Sequence, residues 1–157
     1  MYKRIILKLS GEALAGDKDG VMYDNETIFS VVDQIKEILD MGTQVALVIG
    51  GGNIWRGRSS NAEMDRTKAD QIGMLATVMN AVYVADAFRQ RGIKAVVQTP
   101  IIIGTVTEQF SKESAVKHLE SGEVVIFAAG IGHPYFSTDT GIALRAIEMD
   151  ADCILLA

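Results

Sequence analysis

Four stretches of the chain hold residue types suited to chemistry on a charged substrate. In LKLSGEAL, Lys8 ends an apolar run and Ser10-Gly11 follows it. An ammonium beside successive exposed backbone N–H groups makes an anion site suited to phosphate. The same residues also fit a Lys on an exposed edge strand, with the Gly serving only a turn. In VIGGGNIWRG, Gly50, Gly51 and Gly52 remove every Cβ after an apolar run, so a ligand can approach the backbone closely. Arg56 follows within reach of the same anion and carries a planar, permanently charged fork. A plain turn does not require three glycines in a row, each with its entropic cost.

The third stretch is AAGIGHPYFSTDTG, in which Gly130 and Gly132 free the backbone and Ser137, Thr138 and Thr140 supply hydroxyls. Asp139 could serve the start of a following helix, or hold a cation or a Lys; capping accounts equally for Thr138 and Asp139. His133 reads as a loop hydrogen-bonding residue, because His118, its only fellow, falls on a helix. Tyr135 and Phe136 suit packing and base stacking alike. The fourth is RTKADQIGMLATVMN, where Asp70 either favours a helix dipole or accepts hydrogen bonds from a ribose diol. Met74, Leu75, Val78 and Met79 read as core. A P-loop is excluded, since no Gly-Lys pair exists, and both attempts at G-x-G-x-x-G fail at Trp55 and Tyr135. Neither a Ser-His-Asp set nor zinc-type Cys/His spacing is present, and no metal site is expected.

These stretches lie where apolar runs give way to polar turns. Residues 2–9 read as a strand broken by Ser10-Gly11. Asp24 or Asn25 could cap a helix with Ile28, Val31, Val32, Ile35, Ile38 and Leu39 at three-to-four spacing, ending at Gly42. QVALVI is a second strand, and a long helix over 69–91 follows the glycines. IKAVVQ is a third strand, 114–120 a short helix, EVVIFAA a fourth strand, 130–137 a loop, and Thr138 starts another helix. DCILLA opens a fifth strand. Continuous apolar strands separated by helices predict a largely parallel sheet covered on both faces, a three-layer αβα sandwich. Ligands of such sheets sit at the carboxyl ends of the strands, where the glycine clusters fall. GDKDG, at 16–20, is the one obvious polar, flexible loop.

The 157 residues suit one α/β domain over 1–157, and 48% hydrophobic against 22% charged positions argues against disorder. The net charge of −5 argues against nucleic-acid or anionic-membrane partners. Cys153 is the only cysteine, which suits a reducing cytosol. Lys8 interrupts the first apolar run too early for a signal peptide, and uninterrupted apolar runs fall short of the roughly 20 residues that span a bilayer. A soluble, cytoplasmic protein is expected. The βα rhythm also predicts more chain after the last strand, making these residues the front two-thirds of a longer protein.

Together KLSGEAL, VIGGGNIWRG, DQIGMLATVMN and GIGHPYFSTD resemble the bacterial UMP kinase family of the amino acid kinase superfamily, over essentially the whole chain. The resemblance implies ATP-dependent phosphorylation of UMP to UDP, with Mg²⁺ accompanying ATP. Lys8, Leu9, Ser10, Gly11, Gly52 and Arg56 would meet ATP and its phosphates. Gly51, Asp70, Ile131, Gly132, His133, Pro134, Tyr135, Phe136, Ser137 and Thr138 would bind UMP, Asp70 at the ribose. Lys8, Arg56 and Asp139 would serve the transfer itself. Ile131 and His133 stand where the family loop has Thr and Asn, leaving backbone contacts to the uracil at those positions. In the family a segment beyond residue 157 supplies most of the pocket for the ATP base and ribose. The resemblance also implies a homo-oligomer, a hexamer in the family, with GTP and UTP as effectors. Two alternatives stay open: a superfamily member acting on a carboxylate or carbamate, and a nucleotide-binding, oligomer-forming module without turnover.

Overall fold

A computed structural model describes residues 2–16, 18, 20–56 and 63–157. Asp17 and Asp19 of the polar loop and Gly57 of VIGGGNIWRG fall outside the described residues. In chain order the elements are β1 (Arg4–Leu9), a 3-10 turn (Glu12–Ala15), α1 (Asn25–Asp40), β2 (Gln44–Ile49), α2 (Arg66–Gln90), β3 (Ala95–Thr99), β4 (Glu108–Gln109), α3 (Lys112–Glu120), β5 (Val124–Phe127), α4 (Thr138–Glu148) and β6 (Cys153–Leu156). The strands form one sheet in the order β4-β3-β5-β2-β1-β6, and every neighbouring pair is parallel.

Alternation along the strands feeds two cores. Ile5, Leu9, Val45, Leu47, Ile49, Val124 and Ile126 face α1 and α2, meeting Ile28, Val32, Ile35, Ala81, Val84 and Phe88. Ile6, Ala46, Val48, Val125 and Phe127 face α3 and α4, meeting Ala115, Leu119, Ile142 and Met149. Each such fully buried Ile or Leu side chain contributes about 1.5–3 kcal/mol. The parity also orients the site: Lys8 shares the face of Ile6, so its side chain emerges on the α4 side.

Helix starts follow their caps. Asp24 caps α1 by accepting from Thr27 N at 3.2 Å, and it also accepts from Lys18 Nζ and Thr27 Oγ1, each at 2.6 Å. The bond from Lys18, then that from Thr27, holds its carboxyl down to about 2. α2 begins three residues before the expected Ala69, because Asp65 caps it through Lys68 N. α3 begins at Lys112, capped by Ser111. The expected fifth strand is the sixth, because β4 was not foreseen. It is two residues long, held to β3 by Gln98 Nε2 donating to Glu108 Oε2 at 3.1 Å and by a Thr99–Thr107 hydroxyl contact at 2.7 Å.

Helix α2 corrects one expectation, the core placement of Leu75 and Met79. It is long and apolar enough, by length and composition, to cross a bilayer, yet its Ala76, Ala81, Val84 and Phe88 side lies buried on the sheet. Of the four residues read as its core, Val78 is buried, but Leu75 and Met79 are about half exposed. Apolar residues surround this helix on all sides, so spacing alone does not select its buried face.

Candidate functional site

The carboxyl ends of β1, β2 and β5 meet at one edge of the sheet, where the loop after β1, the triple-glycine loop after β2 and the 130–137 loop after β5 gather. Ser10 Oγ accepts from Ala13 N at 3.1 Å, sharing that N–H with Ser10 O at 3.2 Å and bracing the start of the 3-10 turn. A Cβ on Gly11 would lie 2.6 Å from Gly50 O and 2.7 Å from Gly52 N: the two loops touch backbone to backbone. A Cβ on Gly51 would lie 2.9 Å from Ala76 Cβ, so α2 packs directly on that glycine. Close approach therefore fixes both glycines.

Both expected cations are met by carboxylates. Lys8 Nζ, three-quarters buried, is ion-paired with the exposed Asp139, bringing together residues 131 positions apart. Arg56 Nη2 lies 2.6 Å from Glu12 Oε1, and that oxygen leans over Gly52. Ser137, rather than Thr138 or Asp139, caps α4, accepting from Thr140 N at 3.2 Å; Asp139 in the first turn is left to Lys8.

Beside this edge lies a cavity of about 340 Å³, into which Gly51, Gly52, Trp55, Asp70, Met74, Ile131, His133, Phe136 and Thr138 project. Met74 is thus a cavity residue as well as a partner of the core. Asp70 accepts from Arg66 Nε at 2.9 Å and from Tyr135 N at 2.8 Å, tying the 130–137 loop to α2. The Arg66 guanidinium lies 5.0 Å from the centre of the Tyr135 ring, which turns outward. Gly132, Pro134 and Tyr135 shape the loop without lining the cavity, and Lys8, Leu9, Ser10, Gly11, Arg56 and Asp139 stand outside it along the sheet edge.

The loop after β5 is strained. Ala129 has φ 61° and Tyr135 φ 72°, left-handed values that cost a non-glycine residue about 1–2 kcal/mol each. Thr77 of α2 compensates at Ala129, accepting its N–H at 2.8 Å while donating to Met74 O at 2.7 Å. Sequence reasoning did not single out Glu12, Thr77, Asn53 or Asn80, although all four lie inside or beside the quoted motifs. Their partners are distant in sequence, so local spacing carried no signal for them.

The family model described as "Amino acid kinase family" matches residues 3–157. This chain belongs to the amino acid kinase family. Among curated relatives, the uridylate kinase of Streptococcus thermophilus (strain ATCC BAA-491 / LMD-9) is 54% identical over 157 residues, covering 99% of this chain and 64% of the relative. Among solved structures, the UMP kinase of Bacillus anthracis superposes with a TM-score of 0.94 at 39% identity, covering 99% of this chain and 64% of that one. The UMP kinase of Ureaplasma parvum gives 0.92 at 35% identity, covering all of this chain and 66% of that one. The chain therefore spans 64% of the length of the curated relative and has the α/β fold of these amino acid kinase structures.

Proposed function

We propose that this chain, as one amino acid kinase-like α/β unit, carries the UMP site and the phosphoryl-transfer site of an enzyme that moves the γ-phosphoryl group of ATP to UMP, giving UDP for pyrimidine nucleotide synthesis. The observation that carries the reading is the meeting, at one sheet edge, of the Lys8–Asp139 pair, the Gly51–Gly52–Arg56 loop and the cavity beneath residues 131–138. Relatives named uridylate kinase and UMP kinase support UMP over a carboxylate or carbamate as the acceptor.

The acceptor phosphate of UMP is already anionic, so no strong base is required. The chain's task is to align two phosphates in line and to screen their repulsion. In this reading, Lys8 releases Asp139 and neutralises the transferred group. Arg56 exchanges Glu12 for a phosphate, and the N–H groups of Ser10, Gly11 and Gly52 face the ATP phosphates with Leu9 beside them. Gly51 and Asp70 take the UMP phosphate and ribose. Ile131 to Thr138 enclose the uracil, His133 and Phe136 from inside the cavity and Gly132, Pro134 and Tyr135 through the backbone of the loop.

Among the described residues no cluster of three or more acidic, His or Cys side chains could hold a metal alone. Mg²⁺ keeps most of its waters and is commonly bound through one or two carboxylates plus substrate phosphates, and Asp139 fits that donor set. With ATP bound, the ion would supply further charge screening at Asp139. The exposed Leu75, Met79 and Val82 on α2 support a homo-oligomer; a hexamer, GTP and UTP as effectors and a cytoplasmic setting join this reading through the family resemblance alone.

A substrate panel tests the reading: with ATP and Mg²⁺, phosphoryl transfer is expected to UMP in preference to aspartate, glutamate or carbamate, and preference for any of those three would refute it. The span of 64% of the relative's length favours a second reading for this chain by itself, nucleotide binding without turnover. UMP binding in calorimetry with no UDP formed would select that module.

A further inference from the structure

Asn80 is wholly buried on α2, and no atom of it or of Asn53 reaches the cavity. Its amide nitrogen donates to Gly50 O at 2.7 Å and to Asn53 Oδ1 at 2.7 Å, while its oxygen accepts from Asn53 Nδ2 at 3.1 Å. Asn53 Nδ2 also donates to Met22 O at 3.0 Å, ahead of α1. Two reciprocal amides therefore join α2, the triple-glycine loop and the segment before α1. A buried amide is tolerated where its hydrogen bonds are made, and here both hydrogens and the oxygen of Asn80 are used.

The pair also sets the distance between the two glycine loops. A Cβ on Gly11 would fall 2.7 Å from Asn53 Oδ1 as well as 2.6 Å from Gly50 O. The backbone of the first loop therefore rests on the two atoms that Asn80 holds in place. Asp at position 80 would lose the donor and set carboxylate oxygens against Gly50 O and Asn53 Oδ1, so an amide and not merely a small polar group is required there.

We propose that Asn53 and Asn80 are positioning residues for the UMP phosphate: without touching the ligand, they hold the backbone of the triple-glycine loop, Gly51 included, in the placement that phosphate needs. The inference rests on the phosphate-binding reading above and adds two residues to it. N–H groups aimed at an anion act through prior placement, so slackening the loop weakens contacts to phosphate and spares contacts to base and ribose.

NMR titration of the protein and its Asn53→Ala variant with UMP and with uridine tests this. Asn53 sits in a loop, so Asn53→Ala keeps the fold where Asn80→Ala, which leaves a hole beside α2, can fail to fold. The dissociation constant for UMP is expected to rise about tenfold while that for uridine stays within about twofold. Equal weakening of both ligands would show that the amide pair supports only the fold, and unchanged UMP affinity would show that it sets nothing; either result overturns the proposal. Unaltered protein that binds uridine as tightly as UMP would remove the phosphate site itself. That failure appears before any variant is made and overturns the functional reading together with this one.

Discussion

Replacing Gly11 with Ala isolates the contact between the two glycine loops. Gly11 has φ −61° and ψ −32°, values any L-residue adopts, so the substitution adds no backbone strain. Its whole effect comes from the new methyl group, placed 2.6 Å from Gly50 O, 2.7 Å from Asn53 Oδ1 and 2.7 Å from Gly52 N. Two of those atoms are backbone, and Asn80 holds the third, so none can swing aside. Overpacking against such a wall costs about 3 kcal/mol, the upper end of the usual range. For a domain of this size that lowers Tm by about 6–12 °C. UMP affinity should fall with it. Gly73→Ala is the counterpart: its Cβ would lie 3.6 Å from Trp55 Cδ1, an ordinary contact, within α2. Relief of the glycine penalty should stabilise by about 0.5–1 kcal/mol and raise Tm by about 1–4 °C. Calorimetric melting of both variants checks the pair. An unchanged Tm in Gly11→Ala would refute the claim that the loops are fixed by contact, and equal losses in both variants would refute the assignment of the cost to sterics.

The remaining expectations concern charge. The Asp24 carboxyl lies near 2 in the folded chain against 3.8 ordinarily, so its contribution is present above pH 4 and is lost as pH falls toward 2. Asp24→Asn should therefore melt below the unaltered protein at pH 7, with the gap closing between about pH 4 and 2; a gap independent of pH in thermal melts would contradict this. Lys8→Ala should lower kcat for UDP formation by about 10²–10³ while leaving UMP affinity within about threefold, measured by steady-state kinetics and calorimetry. The reverse pattern would move Lys8 from the transferred phosphate to ground-state binding.

The parallel sheet was legible because QVALVI and EVVIFAA are unbroken apolar runs, the pattern of a strand buried on both faces. β4 was not, since Glu108-Gln109 is polar and pairs through Gln98 and Thr99 of a neighbouring strand. The start of α2 was missed because Arg66, Thr67 and Lys68 lie ahead of any apolar pattern, while Asp65 supplies the cap. Lys8, Arg56, Asp70 and Asp139 were each singled out by residue type. The pairing of Lys8 with Asp139 and of Arg56 with Glu12 depends on topology, whereas Arg66 and Asp70 are i,i+4 neighbours on one helix; the burial of Asn80, whose two acceptors lie 27 and 30 residues away, depends on topology too.

Crystals of the protein grown with UMP test the central claim most directly. The phosphate is expected within hydrogen-bonding distance of the Gly51 backbone, with the ribose at Asp70 and the uracil against residues 131–138. UMP lodged away from residues 50–56 and 130–139 would contradict the account.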